Sequence, residues 1–186
     1  SCIYPIIGYG EYGWGFVGTD VDPVALASAT RIVQANAGLA AAVELRMQPS
    51  KSDLFRNVVK SGERFDFVVC NPPFHSSAEE ASAGSQRKWK NLGKKPSTPL
   101  NFGGQGGELW CPGGEVAFIC RMVEQSREFS DRISWFTSLV SKEANLAAIK
   151  DAIVKIKIPD ARILNMDQGQ KKSRAVAWSW QRGLKP

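Results

Sequence analysis

Apolar and polar positions alternate along the chain in a way that divides it into short strands and amphipathic helices. Gly15 to Asp20 (GFVGTD) has the length and apolar content of a short buried strand. Asp22 and Pro23 then open a helix, with Asp as N-cap and Pro at the first helical position. Leu26, Ala29 and Val33 follow at helical spacing on one face, and Gly38 lies just past the end. Val43 to Met47 is a second short strand. Residues 52 to 60 are expected to form a helix that turns Leu54, Phe55, Val58 and Val59 inward. Phe65 to Cys70 (FDFVVC) is a near-continuous apolar strand, as a parallel sheet covered on both faces requires. Glu115 to Phe129 is helical, with Val116, Ile119, Cys120 and Val123 on one side. Ile133 to Leu139 is a strand, and Asn145 to Lys155 a helix carrying Leu146, Ile149 and Ile153 inward. Arg162 to Met166 and Ala175 to Trp180 are two further strands.

This order indicates an α/β sheet with helices on both faces. No helix separates the last two strands, so they are expected to pair antiparallel at one edge. Trp178 and Trp180 share a face of the final strand and are assigned to the core. The stretch from His75 to Gly114 is rich in Gly, Ser, Pro and Lys and reads mostly as loop; loops of that length in compact domains commonly carry function. No internal repeat is present.

The 186 residues suit one globular domain, and 43% apolar with 23% charged residues argues against wholesale disorder. No apolar run approaches the roughly 20 residues of a membrane span, and no leader pattern precedes the first strand. Cys2, Cys70, Cys111 and Cys120 form no CxxC pair, and His75 is the lone histidine. Neither a metal site nor a disulfide framework is expected, and a reducing cytoplasm fits this cysteine usage.

The net charge of +6 is unevenly distributed. Residues 81 to 107 carry Arg87, Lys88, Lys90, Lys94 and Lys95, and residues 168 to 186 carry Lys171, Lys172, Arg174, Arg182 and Lys185. These windows hold 10 of the 24 basic residues and none of the 18 acids. Localised positive charge suits an anionic partner such as nucleic acid, and solvated lysine-rich surface is the competing explanation.

Asn71-Pro72-Pro73-Phe74 directly follows the apolar strand 65 to 70. Ligands of open α/β sheets bind beyond the carboxyl ends of strands, so this tetrapeptide is well placed to act. Consecutive prolines fix the backbone and lack N–H groups, leaving carbonyls free to accept. Asn71 adds a side-chain acceptor, and Phe74 a flat apolar face for a planar base. An amine donating one N–H to Asn71 and one to the Pro72 carbonyl has its lone pair freed for attack on a methyl donor. A rigid turn with Phe74 packed in the core is the structural alternative.

The motif resembles the signature of class I S-adenosylmethionine-dependent methyltransferases that act on amino groups. The stretches SCIYPIIG, NPPFH, GSQRKWKNLG, LNFGGQGGELW, CPGGE, WFTSLVSK and GQKKSRAVAW extend the likeness over nearly the whole chain. Together they resemble the bacterial 23S ribosomal RNA adenine-N6 methyltransferase family (RlmF-like), which is related to eukaryotic methyltransferase-like RNA adenine-N6 enzymes. The resemblance implies a Rossmann-like methyltransferase domain over residues 1 to 186 with a substrate-loop insertion at about 75 to 114. It implies S-adenosylmethionine as cofactor and 23S ribosomal RNA, free or in an assembling large subunit, as partner.

By the same resemblance Asn71, Pro72, Pro73 and Phe74 are catalytic, with Asn71 also near the cofactor. Asp20 is expected to accept hydrogen bonds from the cofactor ribose, and Ser52 to lie near the cofactor. Asp53 is an alternative reader of the cofactor adenine, and helix capping competes for both residues. Arg87, Lys88, Trp89, Lys90, Lys94 and Lys95 combine cations with an aromatic, as looped RNA favours. The family carries a strand and glycine-rich loop just ahead of the SCIYP segment, so the central strand of the sheet is expected to precede Ser1. A ribosomal RNA guanine-N2 methyltransferase also uses Asn-Pro-Pro-Phe-His and remains an alternative, as does a non-catalytic RNA-binding remnant.

Overall fold

The computed structural model describes residues 2–81, 109–168 and 171–183. These residues fall into two compact units that divide between Lys60 and Ser61.

The first unit begins with helix α1 (Ile3–Tyr12), followed by β1 (Phe16–Asp20), α2 (Pro23–Ala35), α3 (Leu39–Ala42) and β2 (Val43–Met47). β1 and β2 pair in parallel from Phe16↔Val43 to Asp20↔Met47. α2 starts as expected: Asp22 Oδ1 accepts the Val24 N–H at 2.8 Å, and Pro23 occupies the first turn where its missing N–H costs nothing. Val33 of α2, Leu39 of α3 and Val43 of β2 form the core, with Tyr9, Phe16 and Leu45 packed against it. α1 was not marked by a capping signal, since Cys2 at its N-cap makes no side-chain capping bond; its thiol instead donates to the Ala29 carbonyl at 3.9 Å. Gly8 within it is required sterically, because a Cβ there would stand 2.4 Å from the Phe16 ring.

Residues 52 to 60 do not form the expected helix but a series of turns and bends. Asn57 adopts a left-handed backbone (φ 64°), which no α-helix tolerates. Phe55 and Val58 are nonetheless buried, so the inward apolar assignment holds for them without the helix.

The second unit contains β3 (Phe65–Cys70), α4 (Gly114–Ser126), a 3₁₀ turn (Arg127–Phe129), β4 (Ile133–Val140), α5 (Asn145–Lys155), β5 (Asp160–Gln168) and β6 (Lys171–Ser179). Its four strands run in the order β3-β4-β6-β5, with β3 and β4 parallel and both β6 pairings antiparallel. The closing antiparallel pair therefore lies at the edge, as the missing helix between those strands implied. The described strands thus make two sheets, not one.

Phe136 and Trp178 sit opposite each other on β4 and β6 and stack with ring centroids 5.7 Å apart. Both are fully buried, and each such side chain contributes about 1.5–3 kcal/mol. Ser126, the last residue of α4, accepts the indole N–H of Trp178 (3.0 Å) and of Trp180 (2.9 Å). One hydroxyl thereby satisfies two tryptophans and pins the end of the sheet to the helix. β3 departs from expectation. It pairs only with β4 among the described strands, and Phe67 and Val69 on one face are 36% and 39% exposed. A strand covered on both faces would bury them.

Candidate active site

The tetrapeptide Asn71-Pro72-Pro73-Phe74 leaves the carboxyl end of β3, whose last residue Cys70 pairs with Ser138 of β4. The Thr137 hydroxyl donates to the Val68 carbonyl at 2.7 Å and ties the two strands just below this point. Burial and a Ser138 hydrogen bond act oppositely on the Cys70 thiol; burial dominates and pushes it up to about 12. The thiol beside the tetrapeptide is therefore neutral and unsuited to act as nucleophile.

Asn71 is exposed, Pro72 and Pro73 are buried, and Phe74 is half-buried. Among the described residues neither the Asn71 side-chain amide nor the Pro72 carbonyl has a hydrogen-bond partner. Pro72 is less than 2% exposed. A buried carbonyl with no partner among the described residues can accept from a ligand's donor. The structure thus places an amide, a carbonyl acceptor and an aromatic ring on one proline-stiffened segment.

The segment after the tetrapeptide is firmly held. The His75 N–H donates to the Leu109 carbonyl at 3.1 Å, and Cys111 N–H donates to the His75 carbonyl at 3.0 Å, forming a bridge with the segment around Trp110. Ser76 and Ser77 start a helical turn at residues 78–81, within the stretch expected to be loop. The Ser77 hydroxyl accepts the Glu80 N–H, and the Glu80 carboxylate accepts both the Ser76 N–H (2.9 Å) and the Ser76 hydroxyl (2.7 Å). This reciprocal capping holds the Glu80 carboxyl down to about 2, chiefly through the two Ser76 bonds. His75 lies 3.8 Å from Glu80, an ion pair only when the imidazole is protonated.

Sequence reasoning gave Glu115 no role beyond its helix. It is 2% exposed, and its carboxylate accepts the Ser141 N–H (2.7 Å) and the Asn145 side-chain amide (2.5 Å). It thereby fixes the start of α4 to the turn between β4 and α5. The preceding Gly113 and Gly114 both adopt positive φ (78° and 64°), and a Cβ on Gly114 would lie 3.4 Å from the Ser76 nitrogen. The run Pro112-Gly113-Gly114-Glu115 was the available signal: two glycines let the chain pass the His75–Ser76 backbone, and the acid beside them anchors it.

In the first unit Asp20 ends β1. Its Oδ1 accepts the Asp22 N–H at 2.9 Å, and among the described residues Oδ2 has no hydrogen-bond partner. An acceptor-only carboxylate with an open oxygen at the carboxyl end of a parallel strand fits a ribose diol, the group the resemblance assigns to it. Asp20 does not N-cap α2; Asp22 does. Ser52 is exposed, with its hydroxyl 3.0 Å from that of Ser50. Asp53 is half-buried, its N–H donating to the Ser50 hydroxyl and its carboxylate pairing with Arg56 at 3.5 Å. Neither residue caps a regular helix.

Arg87, Lys88, Trp89, Lys90, Lys94 and Lys95 lie outside the described residues. In the second basic window Arg174 is paired with Glu143 at 3.2 Å, and Arg182 is exposed. The four cysteines are free. Among the described residues no group of acidic, histidine or cysteine side chains is placed to hold a metal, and no helix is long and apolar enough to cross a membrane.

Comparison with known proteins gives a consistent result. Residues 1–182 match a family described as RNA methyltransferase. A ribosomal RNA large subunit methyltransferase F of Pseudomonas putida is 54% identical over 97% of this chain and 58% of its own length. The protein of the same name from Pseudomonas aeruginosa is 52% identical over 97% of this chain and 55% of its own. The chain thus spans a little over half the length of these curated relatives. Among solved structures, the hMettl16 catalytic domain in complex with a MAT2A 3'UTR hairpin superposes with a TM-score of 0.81 at 28% identity, covering all of this chain and 62% of that one. The N-terminal domain of human METTL16 in complex with SAH gives 0.70 at 26% identity, over 97% of this chain and 58% of that one. With its α/β architecture, its strand-end tetrapeptide and a family match over almost its full extent, the chain belongs to the RNA methyltransferase family.

Proposed function

We propose that this chain forms the catalytic part of an S-adenosylmethionine-dependent methyltransferase that modifies N6 of an adenine in 23S ribosomal RNA, free or in an assembling large subunit, in the cytoplasm. The observation that carries this reading is that the Asn71 amide and the Pro72 carbonyl, adjacent on a proline-stiffened segment, both lack a hydrogen-bond partner among the described residues. Two acceptors on adjacent residues match the two N–H groups of an exocyclic amine. Donating both hydrogens draws the nitrogen away from planarity and localises its lone pair, which is the nucleophile this chemistry needs. Phe74 supports the base by stacking, an interaction worth about 1–3 kcal/mol per base.

When bound, S-adenosylmethionine supplies an electrophilic methyl group. Asp20 orients the cofactor ribose through Oδ2, and the Ser50–Asp53 segment follows β2 at the same end of the β1–β2 pair. The cationic run Arg87 to Lys95, with Trp89 among the cations, contributes phosphate contacts and stacking. No general base is required at the tetrapeptide, because the amine attacks as a neutral group and loses its proton only after its nitrogen has become cationic.

The test is nucleoside analysis of 23S ribosomal RNA after incubation with the full-length protein and isotopically labelled cofactor. Label in N6-methyladenine is expected. Label in N2-methylguanine would replace this reading with the guanine alternative, and absence of saturable cofactor binding would leave an RNA-binding protein without catalysis.

A further inference from the structure

We propose that Gln48 is a positioning residue that holds both cofactor-facing segments of the first unit at one end of the β1–β2 pair. This rests on the reading of Asp20 and Ser52 given above. Gln48 directly follows β2 and is 3% exposed, an unusual burial for an uncharged polar side chain. Its backbone N–H donates to the Asp20 carbonyl at 2.9 Å, extending the parallel ladder one residue beyond Met47. Its side chain then reaches forward along the chain. Oε1 accepts the Ser50 N–H at 3.0 Å, and Nε2 donates to the Arg56 carbonyl at 2.7 Å.

The amide orientation is fixed by chemistry, since a backbone N–H must meet the oxygen and a backbone carbonyl the nitrogen. The two contacts straddle Ser52 and Asp53. That loop is built of turns and bends. A single buried side chain therefore clamps the loop on both flanks while its own backbone grips the residue expected to hold the ribose. Loss of the clamp leaves the first unit's core of Val33, Leu39 and Val43 untouched, and removes two of the bonds that hold the loop. Cofactor affinity then falls because the loop must be ordered on binding.

The experiment uses the full-length protein and Gln48→Met, which keeps the side-chain length and removes both hydrogen bonds. Binding of S-adenosylhomocysteine is measured by calorimetry, amide hydrogen exchange across residues 50–56 by mass spectrometry, and methyl transfer by steady-state kinetics. The expected result is about a tenfold rise in the dissociation constant and in KM for the cofactor, with kcat at saturation and RNA affinity within about twofold. Exchange is expected to accelerate at Ser50 and its neighbours and to be unchanged in α2.

Should Gln48→Met not fold, Gln48→Glu serves instead. It retains an acceptor for Ser50 and loses the donor to Arg56, and is expected to show the same pattern at smaller amplitude. Unchanged cofactor affinity in the folded variant overturns the proposal, as does a fall in kcat with KM unaltered. Asp20→Asn separates this failure from failure of the cofactor site itself. If that variant binds S-adenosylhomocysteine normally, the site reading is wrong; if it binds poorly while Gln48→Met binds normally, only the role of Gln48 is wrong.

Discussion

Removing the Glu115 carboxylate should destabilise the second unit far more when the residue becomes Ala than when it becomes Gln. The carboxylate is almost completely buried and serves two donors, the Ser141 N–H and the Asn145 amide. Hydrogen bonds to a charged acceptor contribute about 1.5–3 kcal/mol each, and a stranded buried donor costs about 1–3 kcal/mol. Ser141 is exposed and Asn145 half-buried, so water recovers part of the loss in Glu115→Ala. The net cost is about 2–4 kcal/mol. The amide introduced by Glu115→Gln would keep one acceptor for the backbone N–H, which cannot turn away. Asn145 can rotate its own amide and offer an oxygen to the new NH2 group, so Glu115→Gln should cost only about 1 kcal/mol. Urea denaturation followed by tryptophan fluorescence reads both values from the midpoint at constant slope. The reasoning is refuted if Gln costs as much as Ala, or if Ala costs less than about 1 kcal/mol.

Two further expectations concern the site and the acid limit of stability. Asn71→Ala should lower kcat for methyl transfer by about 10²–10³, the scale of losing one preorganised transition-state contact, with RNA affinity within about twofold in a filter-binding assay. Loss of RNA binding together with activity would instead make Asn71 structural. Glu44 is held down to about 2 by hydrogen bonds from Arg46 and then Lys60. Its folded value lies below its unfolded one, so its contribution is present above about pH 4.5 and is lost as pH falls towards 2. Glu44→Gln should therefore flatten that part of the stability profile, and an unchanged acid limb in a pH series of thermal melts would contradict the assignment.

Strand periodicity and the Asp22-Pro23 start of α2 were legible because each is decided by a few local residues. The antiparallel closing pair was legible for a topological reason, since no crossover helix separates β5 and β6. The turns at residues 52–60 were not, because an apolar spacing suited to a helix is overridden there by left-handed Asn57 and by the bonds from Gln48. α1 was hidden by its composition: Pro5, Gly8 and Gly10 are poor helix formers, and the need for Gly8 appears only once Phe16 is packed against it. At the site, Asn71 to Phe74 could be read from the chain because a strand end and two prolines define it locally. Gln48 and Glu115 could not, since their meaning lies in partners that folding brings to them. The openness of Phe67 and Val69 on β3 likewise depends on which strands lie alongside, information that no single segment contains.

The hydroxyl shared by Trp178 and Trp180 also determines what optical measurements can see. Both indoles belong to the second unit, whereas Trp14 in the first is 42% exposed and already in contact with water. Shifts in intrinsic emission will therefore chiefly monitor the sheet that carries the tetrapeptide. A change confined to the first unit around Asp20 could pass unseen by that signal, and a dye or isotope introduced near Ser52 would be needed to follow it.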